Sequence, residues 1–521
     1  MLILIWSMGI NLALFVFVDS IQKIKEMNMI KNSLKSSRLS RRGFMLRTGY
    51  TVLGTFLLHP FIRALGLPDF TNIRQKGPAS KYTPSLKVAF VRREEEYGMW
   101  WPGQVYDGET ALANYTEQIL ETGRELGMKI DLQSKPIYSI EEAEQWIKKA
   151  IIEKPDGLLI VLLDRQQHAW PTANMAIDSK IPTVVFSPLG SSFTTNTSNP
   201  SHKDGVFICS TDDFSQPAFG MKMIKAGARL RETRYLVIKG SERKDAEIQK
   251  LGMKLRYLPA QEFIDEYNRI PVNNEVKELA SQIIKNATGI DGPSTQDIYN
   301  GIKSYIVASN LLERERCDAI TMDCLGALAS TKISLPCIAW SKMNDQGIPA
   351  ACEADIGACV THAIVQYLFD RPGFQVDPVA ETAKECLIGS HCTCATKLNG
   401  FSNGQEPYSI VHHHGNRDAT AKPVWKIGQR ITVADTLIPR EYFDPASEKV
   451  NPIKMLISSG EIVDNKSIPP SGGCVVAPMV KLDKVDSYLD YPGFHQIFFY
   501  GDYKRELKYF CRLYGIQPEV I

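Results

Sequence analysis

Four short segments in the last third of this 521-residue chain hold acids and histidines in contexts that a solvated surface does not explain. Ala351-Cys352-Glu353-Ala354-Asp355-Ile356-Gly357 sets two carboxylates among small residues, where another stretch of chain can approach closely. Phe374-Gln375-Val376-Asp377-Pro378 puts an acid before a proline, which forces extended backbone. Leu387-Ile388-Gly389-Ser390-His391 ends an apolar run on an imidazole, and Pro492-Gly493-Phe494-His495 leads into the apolar run 497–500. Two carboxylates and one or two imidazoles that leave coordination positions open suit a hard-to-borderline divalent ion such as Mn²⁺, with water or substrate oxygens completing its shell. Each segment also has a plainer reading. A strand-end His is often a hydrogen-bonded structural residue, and Asp before Pro is common in turns. Cys392 and Cys394 flank His391, but a CxC pair without a second pair points only weakly to zinc.

The elements that must position these groups follow from hydrophobic periodicity. Short apolar runs at 86–91, 157–163, 183–187 and 206–209 alternate with helical patterns over 109–126 and 139–153, the latter opened by the capping box Ser139-x-x-Glu142. A second set starts at 234–239 and continues through helices near 243–251 and 274–287. It ends in strands at 319–322 and 336–340. Beyond residue 347 the pattern predicts one helix over 350–369 and strands over 385–395 and 408–414. Further strands at 424–427, 429–433, 454–457 and 473–480 are separated by Pro and Gly turns, and a helix spans 502–513. The expected fold class is α/β: two tandem doubly wound α/β domains (85–230 and 231–346), then a mixed α+β C-terminal domain (347–521) with an antiparallel barrel-like part.

Composition narrows the partners. Lys plus Arg total 60 against 58 Asp plus Glu, a formal charge of +2, which gives no reason to expect nucleic acid and argues for a small neutral ligand. Eleven cysteines, an odd number spread over a long chain without paired CxxC motifs, cannot form a closed disulfide framework, so most are expected to be free thiols. Residues 1–70 read as an address. Arg41-Arg42-Gly43-Phe44 with the modest apolar stretch 49–62 resembles a twin-arginine export signal, which predicts a periplasmic or exported protein with Met29 as a natural start. The competing reading is a membrane anchor at 1–18, an apolar run near the lower limit for a spanning helix.

The C-terminal motifs carry a family resemblance. AACEADIGACVT, the Asp377 turn, GSHCTC and the terminal FHQIFFYGDYKRELKYFCRLYGIQPEVI together resemble the metal-site segments of the L-fucose and L-arabinose ketol isomerases. The resemblance implies Glu353, Asp377 and His495 as Mn²⁺ ligands, His391 as a fourth, and Glu353 and Asp377 as the acid/base pair. It also implies a three-domain layout and a homo-oligomer in which a His-containing loop reaches substrate across the subunit interface. His168, after the run 157–163, matches that loop, and Arg92 matches the family's basic residue after its first strand. One of His412 or His414 is implied to line the pocket. Independently of the family, Tyr97, Trp100 and Trp101 lie beyond the first strand, where aromatic rings can stack on the apolar face of a sugar or pack in a core. The segment HGNRDATAKPVW departs from the family pattern and leaves the sugar open.

The function these readings predict is a metal-dependent aldose–ketose isomerase that moves a proton between C1 and C2 of an open-chain sugar through an enediolate. A metal-dependent sugar lyase or epimerase would use the same enediolate. An exported, non-catalytic sugar-binding protein would also contain two α/β domains but has no use for a metal-bound acid pair.

Overall fold

The computed structural model of the protein describes residues 77–521, apart from 96–97, 100, 102–105, 166–167, 249–250, 414–415, 444–450 and 468–472. All of these belong to one compact unit, Ile73–Ile521. The predicted export signal, the apolar run 1–18, Tyr97, Trp100 and His414 lie outside the described residues. Among the described residues no helix is long and apolar enough to cross a membrane.

The first sheet is wholly parallel. Strand Ser85–Val91 is flanked by Lys129–Leu132 on one side and by Gly157–Leu162, Thr183–Ser187 and Val206–Ser210 on the other. The middle strand GLLIVL is buried at every position, as expected of a parallel strand covered on both faces. Helix Ile140–Glu153 starts as its sequence predicts: Ser139 Oγ accepts from Glu142 N at 3.3 Å. The returning Glu142 carboxylate takes Tyr138 N at 2.7 Å instead of the N-cap amide.

The second sheet runs Ala350–Cys352, Ala319–Met322, Arg234–Ile238, Met253–Leu258 and Lys244–Ile248, parallel except for its edge hairpin. The expected helix near 243–251 is therefore an edge strand where it is described. The expected strand at 336–340 is the start of helix Cys337–Asp345. Seven of that helix's nine residues are buried, including the consecutive run Cys337–Ser341. An apolar run buried on all sides looks alike as strand or helix in sequence. The expected single helix 350–369 is broken into strand Ala350–Cys352 and helix Ile356–Phe369.

The C-terminal part is a closed six-stranded antiparallel barrel. Its strands follow one another as Arg430–Leu437, Gln496–Tyr500, Phe374–Glu381, Cys386–Ser390, Pro478–Leu482 and Lys454–Asn465, and the last pairs back onto the first. Gln517–Val520 adds to Lys454–Asn465 in parallel. No strand forms at 424–427, and the expected strand 473–480 begins at Pro478. A separate sheet joins Gly289–Asp291 to Tyr408–His413 and Arg417–Pro423. The second sheet thus ends inside the predicted C-terminal domain, and the small sheet draws on both.

Helix Ile356–Phe369 ties these layers together. Twelve of its fourteen residues are buried, and its apolar side chains join one core with the first sheet, the helix Ser215–Glu232 and the barrel. Its second residue, Gly357, lies so close to the Thr436 carbonyl that an added Cβ would meet that oxygen at 2.4 Å.

Candidate metal centre

The barrel register brings the predicted residues to one rim. Strand Phe374–Glu381 is central: Val376 pairs with Gln496 on one side, so Asp377 stands level with His495, and on the other side Asp377 pairs with Ser390, next to His391. Pro378 cannot donate to a ladder, and pairing with Gln496–Tyr500 stops at Val376. The sheet opens at the position of Asp377. Glu353 enters from the other side, immediately beyond the carboxyl end of strand Ala350–Cys352, the edge at which parallel sheets bind ligands.

Glu353 reaches this position through strain. Glu353 and Ala354 both take left-handed backbone angles, with φ of +61° and +53°, which cost non-glycine residues on the order of 1 kcal/mol each. Two contacts hold the turn. Ala354 N donates to Met322 O at 2.9 Å, and the buried Gln375 side chain accepts from Cys352 N at 2.8 Å. Asp355 then caps the following helix, accepting from Ala358 N at 2.9 Å with one oxygen. Its other oxygen accepts from His495 Nδ1 at 2.7 Å.

That last bond sets the His495 tautomer. With the proton on Nδ1, Nε2 is free to act as a ligand, the usual carboxylate–histidine arrangement around metals. His495 Nε2 lies 3.3 Å from Asp377 Oδ1 and 3.6 Å from Glu353 Oε2, and His391 Nε2 lies 3.7 Å from Glu353 Oε1. None of these contacts is a hydrogen bond: Asp377 Oδ1, His391 Nε2 and His495 Nε2 are all buried without a hydrogen-bond partner. Three buried atoms without a hydrogen-bond partner in one neighbourhood fit a cation, since each unmet group otherwise carries its own desolvation penalty. Glu353, His391 and His495 present ligand atoms within 4.8 Å of one another. The two imidazoles are 3% exposed, and the Glu353 and Asp377 side chains are 30% and 35% exposed, so the site is floored by histidine and open to solvent along its acids.

The field at this point favours positive charge. Burial alone would depress both histidines, but Asp355 and Asp377 raise His495 to about 9, and Cys392 and Glu353 raise His391 to about 10. Asp435, on strand Arg430–Leu437, has its carboxyl raised to about 7 by burial and by the nearby Asp355 charge. His391 Nδ1 lies 3.1 Å from Cys392 N as an acceptor and 3.9 Å from Cys392 Sγ, so metal binding at Nε2 requires Nδ1 to carry the proton.

The residues predicted in the first domain are not brought to this group. His168 sits at the N-cap position of helix Ala169–Asp178 without capping it through its side chain, is buried, and places Nε2 at 3.0 Å from Arg92 O and 3.2 Å from Ile137 O. Arg92 is buried and pairs with Glu109 at 2.6 Å. Trp101 is 53% exposed and meets Phe193 edge-on at 5.2 Å, with the Arg165 guanidinium 4.9 Å from the Phe193 ring. Tyr408–His413 ends with His412 Nδ1 on Asp418 O at 2.8 Å and its ring against Gly292, away from the acids. The neighbouring His413 points the other way and meets Cys337 Sγ at 3.0 Å.

Asp355, Gln375 and Asp435 were not among the residues predicted to form the site. An Asp two places beyond Glu353 and opening a helix was a visible cue for the first, and an acid inside the buried run ITVADTL for the last. Gln375 carries no cue beyond lying two residues before Asp377.

No protein-family model and no curated protein matches the chain. Solved structures similar to part of it include an ABC transporter solute-binding protein from Burkholderia multivorans with an unknown ligand represented as alpha-D-erythrofuranose (11% identity, 56% of this chain and 95% of that one, TM-score 0.19). Another is a periplasmic solute-binding protein of an ABC transporter from Actinobacillus succinogenes with bound D-allose (11% identity, 55% and 92%, TM-score 0.17).

Proposed function

We propose that this protein is a metal-dependent aldose–ketose isomerase of the fucose/arabinose isomerase type, with its two parallel sheets as tandem doubly wound domains. The observation that supports this best is the group formed by Glu353, His391 and His495, whose ligand atoms lie within 4.8 Å of one another, with Asp377 Oδ1 3.3 Å from His495 Nε2 and three buried atoms of the four residues without a hydrogen-bond partner.

Glu353, Asp377 and His495 would hold a divalent ion such as Mn²⁺, with His391 at its edge. The ion would supply Lewis acidity where two adjacent substrate oxygens exchange carbonyl and hydroxyl character. The chain's own residues do the rest. Asp355 fixes the His495 tautomer through Nδ1. Glu353 and Asp377 line the open side from different elements and can each exchange a proton with a neighbouring carbon or oxygen of a bound sugar. Asp435 can keep a proton near neutral pH. Phe494, 66% exposed and 4.4 Å from the His495 ring, gives the rim an apolar face of the kind that packs on a sugar ring or chain.

The test is isomerisation of a panel of pentoses and 6-deoxyhexoses by Mn²⁺-loaded protein in D₂O. The expected result is interconversion of one aldose–ketose pair with Glu353→Gln inactive and weaker in Mn²⁺ binding. Turnover retained in Glu353→Gln, or cleavage or epimerisation in place of isomerisation, would count against this reading. So would sugar binding that is indifferent to metal.

A further inference from the structure

Behind the acid–histidine group lies a second cluster of different chemistry. Cys337 Sγ is 3.3 Å from Cys392 Sγ and 3.0 Å from His413 Nε2, and the three ligand atoms all lie within 4.8 Å of one another. All three residues are at least nine-tenths buried, His413 at 1% exposure. They come from three elements: the first residue of helix Cys337–Asp345, the segment just past strand Cys386–Ser390, and the last residue of strand Tyr408–His413. Cys474 lies with His391 and Cys392 inside a further 4.8 Å group that shares Cys392 with this one. Thr420 Oγ1 bonds the Cys392 carbonyl, and Asp418, two residues before Thr420, bonds Leu335 N at 3.2 Å, so the loops that carry the thiols are tied to strand Arg417–Pro423.

We infer that Cys337, Cys392 and His413, with Cys474 drawn in from the adjoining group as a fourth donor, form a binding site for a thiophilic d¹⁰ ion, Zn²⁺, separate from the acid–histidine group in front of it. The donor set is the Cys₃His type that zinc takes in closed, structural sites, whereas Mn²⁺ prefers oxygen. Zinc–sulfur bonds of ~2.3 Å at tetrahedral angles put sulfurs about 3.8 Å apart, so the Cys337–Cys392 pair has to spread by about half an ångström to take the ion. Binding releases the thiol protons to solvent and leaves no electron to be accounted for. The consequence is mechanical. Zinc on Cys392 would fix the peptide next to His391, whose Nδ1 is 3.9 Å from that sulfur and whose Nε2 faces Glu353. This inference does not require the isomerase reading, since it rests on thiols that the acid–histidine centre does not use.

Co²⁺ titration of the reduced, purified protein tests it. The expected result is one equivalent per chain with sulfur-to-cobalt charge-transfer absorption and intense tetrahedral bands, kept in Glu353→Gln, displaced by Zn²⁺, and lost in Cys337→Ser and in His413→Gln. Should those variants fail to fold, X-ray absorption on the zinc-loaded native chain decides: two or three sulfur neighbours sustain the site, and an all oxygen/nitrogen shell overturns it. Absence of thiolate charge transfer in the native protein overturns it. So does a Cys337–Cys392 disulfide with no zinc uptake after reduction.

Discussion

At the residue scale, the decisive features are atoms left without ordinary partners. Glu353 adopts a left-handed backbone held by the hydrogen bonds of its neighbours, and His495 spends its Nδ1 on Asp355 so that Nε2 faces the acids. Asp355 touches no substrate in this arrangement; it positions. Removing the charge of such an outer partner typically costs about 10–100-fold in metal affinity. Asp355→Asn is therefore expected to weaken Mn²⁺ binding by that order while keeping the helix cap, because Asn also caps well. Calorimetric titration with Mn²⁺ checks this, and an unchanged affinity would remove Asp355 from the centre. The sequence already displayed Glu353, Asp377, His391 and His495 as odd residues in their contexts. It did not display the His495–Asp355 bond, which joins positions 140 residues apart.

At the element scale, helix Ile356–Phe369 is both scaffold and sensor. Its His362 is fully buried with both ring nitrogens unpaired, and burial depresses it to about 3. In the unfolded chain the same imidazole titrates near 6.5. Between those values the unfolded state holds a proton that the folded state lacks, so stability is full above about pH 6.5 and falls by ~1.4 kcal/mol per pH unit below it. His362→Leu removes that contribution. Urea melts at pH 7, 6, 5 and 4.5 should show the stability of His362→Leu rising relative to the native protein as pH falls. A constant difference would show that His362 is not neutral in the fold. The periodicity of this helix was plain in sequence, but its start was not. Ala350–Phe369 reads as one run of small and apolar residues, and the break at Glu353 and Ala354 uses no glycine to announce it.

At the scale of the whole molecule, the described residues of the unit Ile73–Ile521 form an α/β chain with two parallel-type sheets and a closed C-terminal barrel. All eleven cysteines are free, and all but Cys474 are buried. If the chain is exported as its N-terminal sequence leads one to expect, its free thiols would be best protected by folding before it meets an oxidising compartment. The twin arginines, outside the described residues, fit that order of events, because the twin-arginine route carries folded cargo. Changing Arg41 and Arg42 to Lys is expected to hold the full-length precursor inside the cell; cell fractionation reads this out, and unimpaired export would remove the assignment.

The sequence alone pointed to the α/β layers with a C-terminal barrel, and it singled out Glu353, Asp377, His391 and His495 as candidates, because strand alternation, helix caps and out-of-place acids are local signals that survive without knowing what packs on what. It also determined that the thiols are mostly unpaired with one another, from their number and spacing. Only the tertiary structure decided which residues meet. His168, Arg92 and His412 are turned to carbonyls and ion pairs of their own surroundings, while His413, the middle of three consecutive histidines, is joined to Cys337 across 76 positions. The reason is physical: the direction of a side chain at the end of a strand depends on barrel register and on where pairing stops, as pairing with Gln496–Tyr500 does after Val376. Both are set by non-local packing that leaves no mark in the neighbouring residues.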